Sequence, residues 1–215
     1  MNKIILAFTF AFWASFAQAA SIPNGGFEDG NLSGFSDNNG MPFATTGLLA
    51  PNGSPFIYQA ISPIEGDYFA AIPAGNYTTS LTTVPFSVSA SDVFSFQWQI
   101  LGIDYPPFND SVGVYLSYLD ETGPFLTEVL SNINTVGAYS SSGWSLMSYI
   151  LPKSGLMTAT FYSTNWGDTL NDTILALDDV RVTHVPEPAI LALMGIGFLG
   201  IGASQRRQRN LVAAA

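Results

Sequence analysis

Residues 92–100 read DVFSFQWQI, and the alternation is strict: Phe94, Phe96, Trp98 and Ile100 fall on one side, Ser95, Gln97 and Gln99 on the other. A period of two fits an extended strand with one apolar and one wet face, and fits no helix. SVGVYLSYLD repeats the pattern with Val112, Val114, Leu116 and Tyr118. Segments of the same character are GDYFAAI, SLTTVPFSVS, WSLMSYILP, LMTATFYSTNW and TILALDDVRV, separated by the turn clusters PNGSP, PAGN, ETGP and SSSGW. No apolar helical repeat of useful length interrupts them. Several such strands bury their apolar faces most simply by pairing into two packed antiparallel sheets, so the expected fold is all-β, a two-sheet β-sandwich.

The termini are of a different kind. Lys3 gives a positive start, Ile4 to Phe16 are apolar but for Thr9 and Ser15, and Ala17-Gln18-Ala19 supplies the small-x-small pattern that signal peptidase reads. Residues 1–19 are therefore expected to be a signal peptide; the alternative, a retained anchor, suits so short an apolar stretch poorly. At the other end, residues 189–203 carry no charge, and a helix of that length covers about 22 Å against a hydrocarbon core of about 30 Å. Arg206, Arg207 and Arg209 follow, which places the C-terminus on the cytoplasmic side and the acidic domain outside. Pro186 and Pro188 keep Val185-Pro186-Glu187-Pro188 extended at the outer membrane edge, a suitable layout for cleavage. A plain single-pass anchor is the alternative.

Between these signals lies one domain, residues 20–184. The exported part up to Pro188 contains all 16 acidic residues but only two basic ones, Lys153 and Arg181, a formal charge of −14. Such a surface repels phosphate backbones and argues against nucleic-acid binding. The chain has no cysteine, so it has neither a disulfide framework nor a lipid-modified N-terminal cysteine. Membrane attachment then falls to the C-terminus.

The order VPEP, short apolar helix, arginine cluster over residues 185–210 resembles the PEP-CTERM sorting signal of Gram-negative bacteria. That resemblance implies an exosortase as partner, a passage through the inner membrane, and a final place at the cell surface or in the extracellular matrix. NLVAAA trails beyond the arginines, where such tails usually end.

IPNGGFEDGNLSGF at 22–35 and LALDDVRV at 175–182 resemble the opening and closing strands of the galactose-binding-like jelly roll shared by many carbohydrate-binding modules. The sequence departs from that pattern at Phe35, where tryptophan is commoner. The resemblance implies that the two ends are neighbours, and that Glu28 and Asp178 hold a structural calcium ion, with Asp29 and Asp179 nearby. Calcium asks for six to eight oxygen ligands. The alternative is that these acids cap turns and face solvent.

Sugar binding needs exposed aromatic rings beside polar groups. Tyr105 in DYPPF, Trp144 after SSSG and Trp166 in NWGD stand at loop edges, whereas Trp98 shares the apolar side of its strand. Each of the three also suits partial burial in packing. Catalysis finds little material: His184 is the single histidine, in the linker before VPEP, where it is not expected to be buried beside a serine and a carboxylate. The expectation is an exported, non-enzymatic protein that binds polysaccharide such as the exopolysaccharide of a biofilm. The alternatives are a purely structural acidic matrix component and a secreted glycoside hydrolase.

Overall fold

Val93–Gly102 is one long strand, and the alternation decides what it buries: Phe94, Phe96 and Ile100 are closed off from solvent, with Trp98 packed against the same core. The computed structural model describes residues 22–54, 56–185 and 195–198. In chain order the elements are β1 (Phe35–Asp37), β2 (Phe43–Thr45), β3 (Leu48–Pro51), β4 (Tyr58–Ile61), β5 (Phe69–Pro73), β6 (Thr78–Thr83), β7 (Phe86–Val88), β8 (Val93–Gly102), β9 (Ser111–Tyr118), β10 (Leu126–Asn132), the single helical turn α1 (Ile133–Val136), β11 (Ser140–Ser141), β12 (Ser145–Ile150), β13 (Gly155–Thr164) and β14 (Ile174–Thr183).

These strands make the expected antiparallel two-sheet sandwich. One sheet has the order β1-β6-β13-β9-β10 with β7 also on β13; the other has β11-β8-β14-β5-β2 with β12 also on β8. Val112, Val114, Leu116 and Tyr118 of β9 face Phe94, Phe96 and Ile100 of β8 through a core that includes Leu81, Phe161, Leu175 and Leu177. Phe96 and Phe161 meet edge to face at 4.9 Å between ring centres.

One expectation needs correction. The face of β8 that carries Ser95, Gln97 and Gln99 is not wet: Gln99 is 1% and Leu101 0% exposed. The β3–β4 hairpin lies over this outer face and forms a second core there, in which Ala50 and Ile61 pack with Phe69, Leu101 and Ala176. The polar side of the alternation is thus covered by a third layer.

Register also fixes the two ends of the sandwich. Thr164 pairs with Thr78 and Ser111, Ser111 with Asn132, and Ile174 with Pro73 and Leu101, so the connections 74–77, 103–110, 133–139 and 165–173 all emerge at one end. Thr183 pairs with Val93 at the opposite end, and the chain leaves toward its C-terminus there. The expected signal peptide 1–19 lies outside the described residues, as does the expected membrane helix 189–203 apart from a helical turn at 195–198. Among the described residues no helix is long and apolar enough to cross a membrane.

Candidate functional site

The residues marked out in the sequence divide into two groups, one on the outer face of the β8–β14 sheet and one at the loop end.

On the outer face, Asp178 is fully buried, at the start of a bulge between Asp178 and Arg181 in which Asp179 takes φ 50°. Its Oδ2 accepts the N–H groups of Ile64 at 2.9 Å and Glu65 at 3.2 Å, and its Oδ1 that of Asp179 at 2.7 Å. Burial pushes its carboxyl up to about 6, with those three N–H groups pulling the other way. Glu28 continues the arrangement, accepting the N–H groups of Asp67 at 2.9 Å and Tyr68 at 3.1 Å. Trp144 donates from Nε1 to the Ser62 carbonyl at 3.0 Å and sets its ring edge-on against Phe69. All three side chains fasten the connection 62–68 onto the sandwich.

The opening and closing segments are neighbours: Val180 donates its N–H to the Gly25 carbonyl at 2.9 Å. Glu28 and Asp178 nevertheless face N–H donors, whose polarity opposes a cation, so as they stand they do not supply the oxygen cage that calcium takes. Among the described residues no group of three or more histidine or acidic side chains gathers to hold a metal ion.

At the loop end, Tyr105 and Trp166 each have their backbone fixed by a buried carboxylate. Asp104 Oδ1 accepts the Tyr105 N–H at 2.8 Å, and Asp110 Oδ1 accepts the Trp166 N–H at 2.9 Å. Burial pushes Asp104 up to about 6, helped by the charges of Asp110 and Asp168; burial also raises Asp110, opposed by the Trp166 N–H and by Thr173. Tyr105 stacks on Tyr139 and meets Phe108 edge-on, which holds its ring partly down. Trp166 is 63% exposed. It borders a hollow of about 300 Å³ with Asn109, Ser111, Val129 and Asn132. Asn109 and Asn132 spend their Oδ1 atoms on the N–H groups of Asn134 and Thr135 in α1, which leaves their Nδ2 groups as donors at the rim.

Sequence reasoning missed Tyr77. It is 78% exposed beside a second hollow at the same end, lined by Asn39, Met41, Asn76 and Asp172. A tyrosine within a turn cluster has no periodicity to mark it. His184 is a correction: it is not free in a linker but lies against the buried carboxylate of Asp92, Nδ1 to Oδ1 at 2.7 Å, and Asp92 also accepts the Ser89 N–H. This pair anchors the chain where it leaves the sandwich. Val185 follows directly; Pro186, Glu187 and Pro188 and the arginines 206, 207 and 209 lie outside the described residues.

Residues 184–207 match the family described as the PEP-CTERM protein-sorting motif, which marks an exported protein sorted to the cell envelope. No curated protein matches the chain. Among solved structures the chain is similar to TmCBM61 in complex with beta-1,4-galactotriose, at 12% identity and TM-score 0.48 over 78% of this chain and 100% of that one. It is similar to the K3 cleaved adhesin domain of Lys-gingipain from Porphyromonas gingivalis, at 18% identity and TM-score 0.46 over 77% and 98%. It is also similar to a family 16 carbohydrate binding module, at 11% identity and TM-score 0.39 over 76% and 99%. Carbohydrate-binding-module β-sandwiches thus stand among its structural neighbours.

Proposed function

We propose that the chain is an envelope protein processed by an exosortase through its C-terminal motif, and that its sandwich binds polysaccharide, without catalysis, at the Trp166 hollow. The observation that carries this reading is Trp166 itself, a large apolar ring kept in water at a fixed loop position. Leaving such a ring exposed forgoes roughly 2 kcal/mol or more of burial, a cost that a ligand can recover. The pyranose face of a sugar fits a flat indole, and the amide donors of Asn109 and Asn132 stand where ring hydroxyls would accept them. The hollow is shallow and open, as suits a chain segment of a polymer.

A non-catalytic role is consistent with the lining of the hollow, which includes no acidic side chain. Asp104 and Asp110 are both 0% exposed, so neither reaches a glycosidic oxygen in solvent. The hollow also lies at the end of the sandwich opposite the exit of the chain at Thr183, so on a membrane-held protein it points outward.

Affinity electrophoresis in gels containing the host's exopolysaccharide tests the binding. Trp166→Ala should weaken retention about tenfold or more, the scale of a central aromatic anchor, while Trp144→Ala leaves retention unchanged. Equal retention of Trp166→Ala and wild type would sink this site and favour a purely structural acidic matrix component. Processing is read separately, from the intact mass of the envelope form: an end near Pro188 supports the exosortase, and retention of Arg206 to Arg209 supports a plain anchor.

A further inference from the structure

The edge of a sheet presents unpaired N–H and C=O groups, and folded proteins guard it by keeping it short, bulged or charged. Among the described residues, the two sheets of the sandwich guard every edge but one. β1, β2, β7 and β11 have only two or three residues each. β10 is longer but carries Glu128 and a break in register between Val129 and Ser131. β12 runs for six residues, pairs with β8 in unbroken register, and holds neither charge, proline nor bulge. No charged residue stands anywhere between Glu128 and Lys153.

On its other side β12 meets no strand. Among the described residues, no backbone hydrogen bond joins residues 145–150 to anything but β8. Antiparallel geometry turns the N–H and C=O groups of alternate residues away from β8, so half of the strand's polar backbone stands open. The outward side chains are mostly apolar: Leu146 is 56% and Ile150 76% exposed, with exposed Ser148 between them. Met147 and Tyr149 pack against the core on the inner side. A second copy of the same strand answers this pattern. Turned about a two-fold axis through Ser148, SLMSYI sets Leu146 opposite Ile150, Met147 opposite Tyr149 and Ser148 opposite itself. Both faces then make apolar cross-strand pairs, and no like charges meet. That matters in a domain of formal charge −14, whose copies otherwise repel one another.

We infer that β12 is a self-docking edge, at which two copies of this chain pair antiparallel about Ser148 and continue the β8 sheet from one sandwich into the next. The pairing sets the copies in opposite directions. The loop end of one lies beside the chain exit of the other, so the two exits after Thr183 point apart and one membrane does not hold both copies. The pair therefore belongs to chains freed from the membrane, and it carries a Trp166 hollow at each end. Bridging two polysaccharide chains in this way rests on the Trp166 hollow binding sugar; the pairing itself does not, and it is measured without sugar.

Introduced cysteines test the edge, because the chain has none of its own and a short thiol-reactive cross-linker then reports the chosen position alone. The full chain is used in detergent solution, where copies turn freely. Ser148→Cys should be trapped as a covalent dimer at least about tenfold more readily than Ser36→Cys, since Cα atoms opposed across an antiparallel pair lie about 4.5–5.5 Å apart. Ser36 is an exposed position on β1, at the opposite side of the sandwich. Leu146→Cys and Ile150→Cys should each give little dimer alone and cross-link when mixed, because the register sets each against the other. All four positions are exposed, so these changes leave the fold intact. Equal yields from Ser148→Cys and Ser36→Cys overturn the pairing. Dimer formed by Leu146→Cys or Ile150→Cys alone as readily as by their mixture overturns the two-fold centred on Ser148.

Discussion

Trp144 and Trp166 are both loop tryptophans beside a glycine or in a polar turn, yet their surroundings give them opposite tasks. Trp144 satisfies its indole N–H on a carbonyl 82 residues away and packs on Phe69, whereas Trp166 is left in water. Trp144→Ala should therefore cost about 1–3 kcal/mol in urea denaturation, as for a half-buried aromatic ring that also loses its hydrogen bond. Gly66 sits at φ +65°, and a Cβ there would fall on the Glu28 carboxyl. Gly66→Ala should lower stability by about 1–3 kcal/mol, since it adds strain and breaks the clamp on Asp67 and Tyr68 together. A neutral Gly66→Ala in the same denaturation experiment would mean that Glu28 does not hold this loop. In sequence the two tryptophans could be noted but not told apart, because the partner of each comes from a distant segment.

At the level of elements, what could be read depended on strand length. β8, β9, β13 and β14 run for eight to ten residues, enough for alternation to show which side chains face inward. β1 to β4 have only three or four residues each, too few for a period, and they went unmarked. That gap explains the error about the wet face, since β3 and β4 are the strands that cover it. Leu101 gives a direct check. It lies on the side of β8 that alternation alone assigns to water, yet it is 0% exposed in the second core. Leu101→Ala should cost about 2–5 kcal/mol, as much as Leu116→Ala on the inner face. A cost under about 1 kcal/mol, the level of a surface substitution, would mean that the hairpin does not cover this face. The candidate site suffered from the same limit. Tyr105 and Trp166 were found as residues, but the carboxylates that position them were not, because a single aspartate in a loop gives no sign that it is buried.

For the molecule as a whole, β14 sets a polarity. Its ten residues run about 33 Å at roughly 3.3 Å per residue, from the loop end at Ile174 to the exit at Thr183. Sorting information thus leaves one end while the exposed rings and the enclosed carboxylates occupy the other. The excess of acids, 16 against two basic residues up to Pro188, then acts on stability through pH. Asp104 and Asp178 both have carboxyls pushed up to about 6 by burial, from an ordinary value of 3.8. The folded state holds these protons more tightly than the unfolded chain does. Their contribution to stability is therefore full below pH 4 and is lost as pH rises through about 6. Self-repulsion among the other carboxylates changes in the same direction. The melting temperature should accordingly fall between pH 4 and pH 7, opposite to a protein whose carboxylates are mostly paired with cations. Asp178→Asn should remove one part of that fall and Asp104→Asn another. A melting temperature that rises from pH 4 to pH 7 would show that the buried carboxylates are paired in the folded state, and the pH argument would fail.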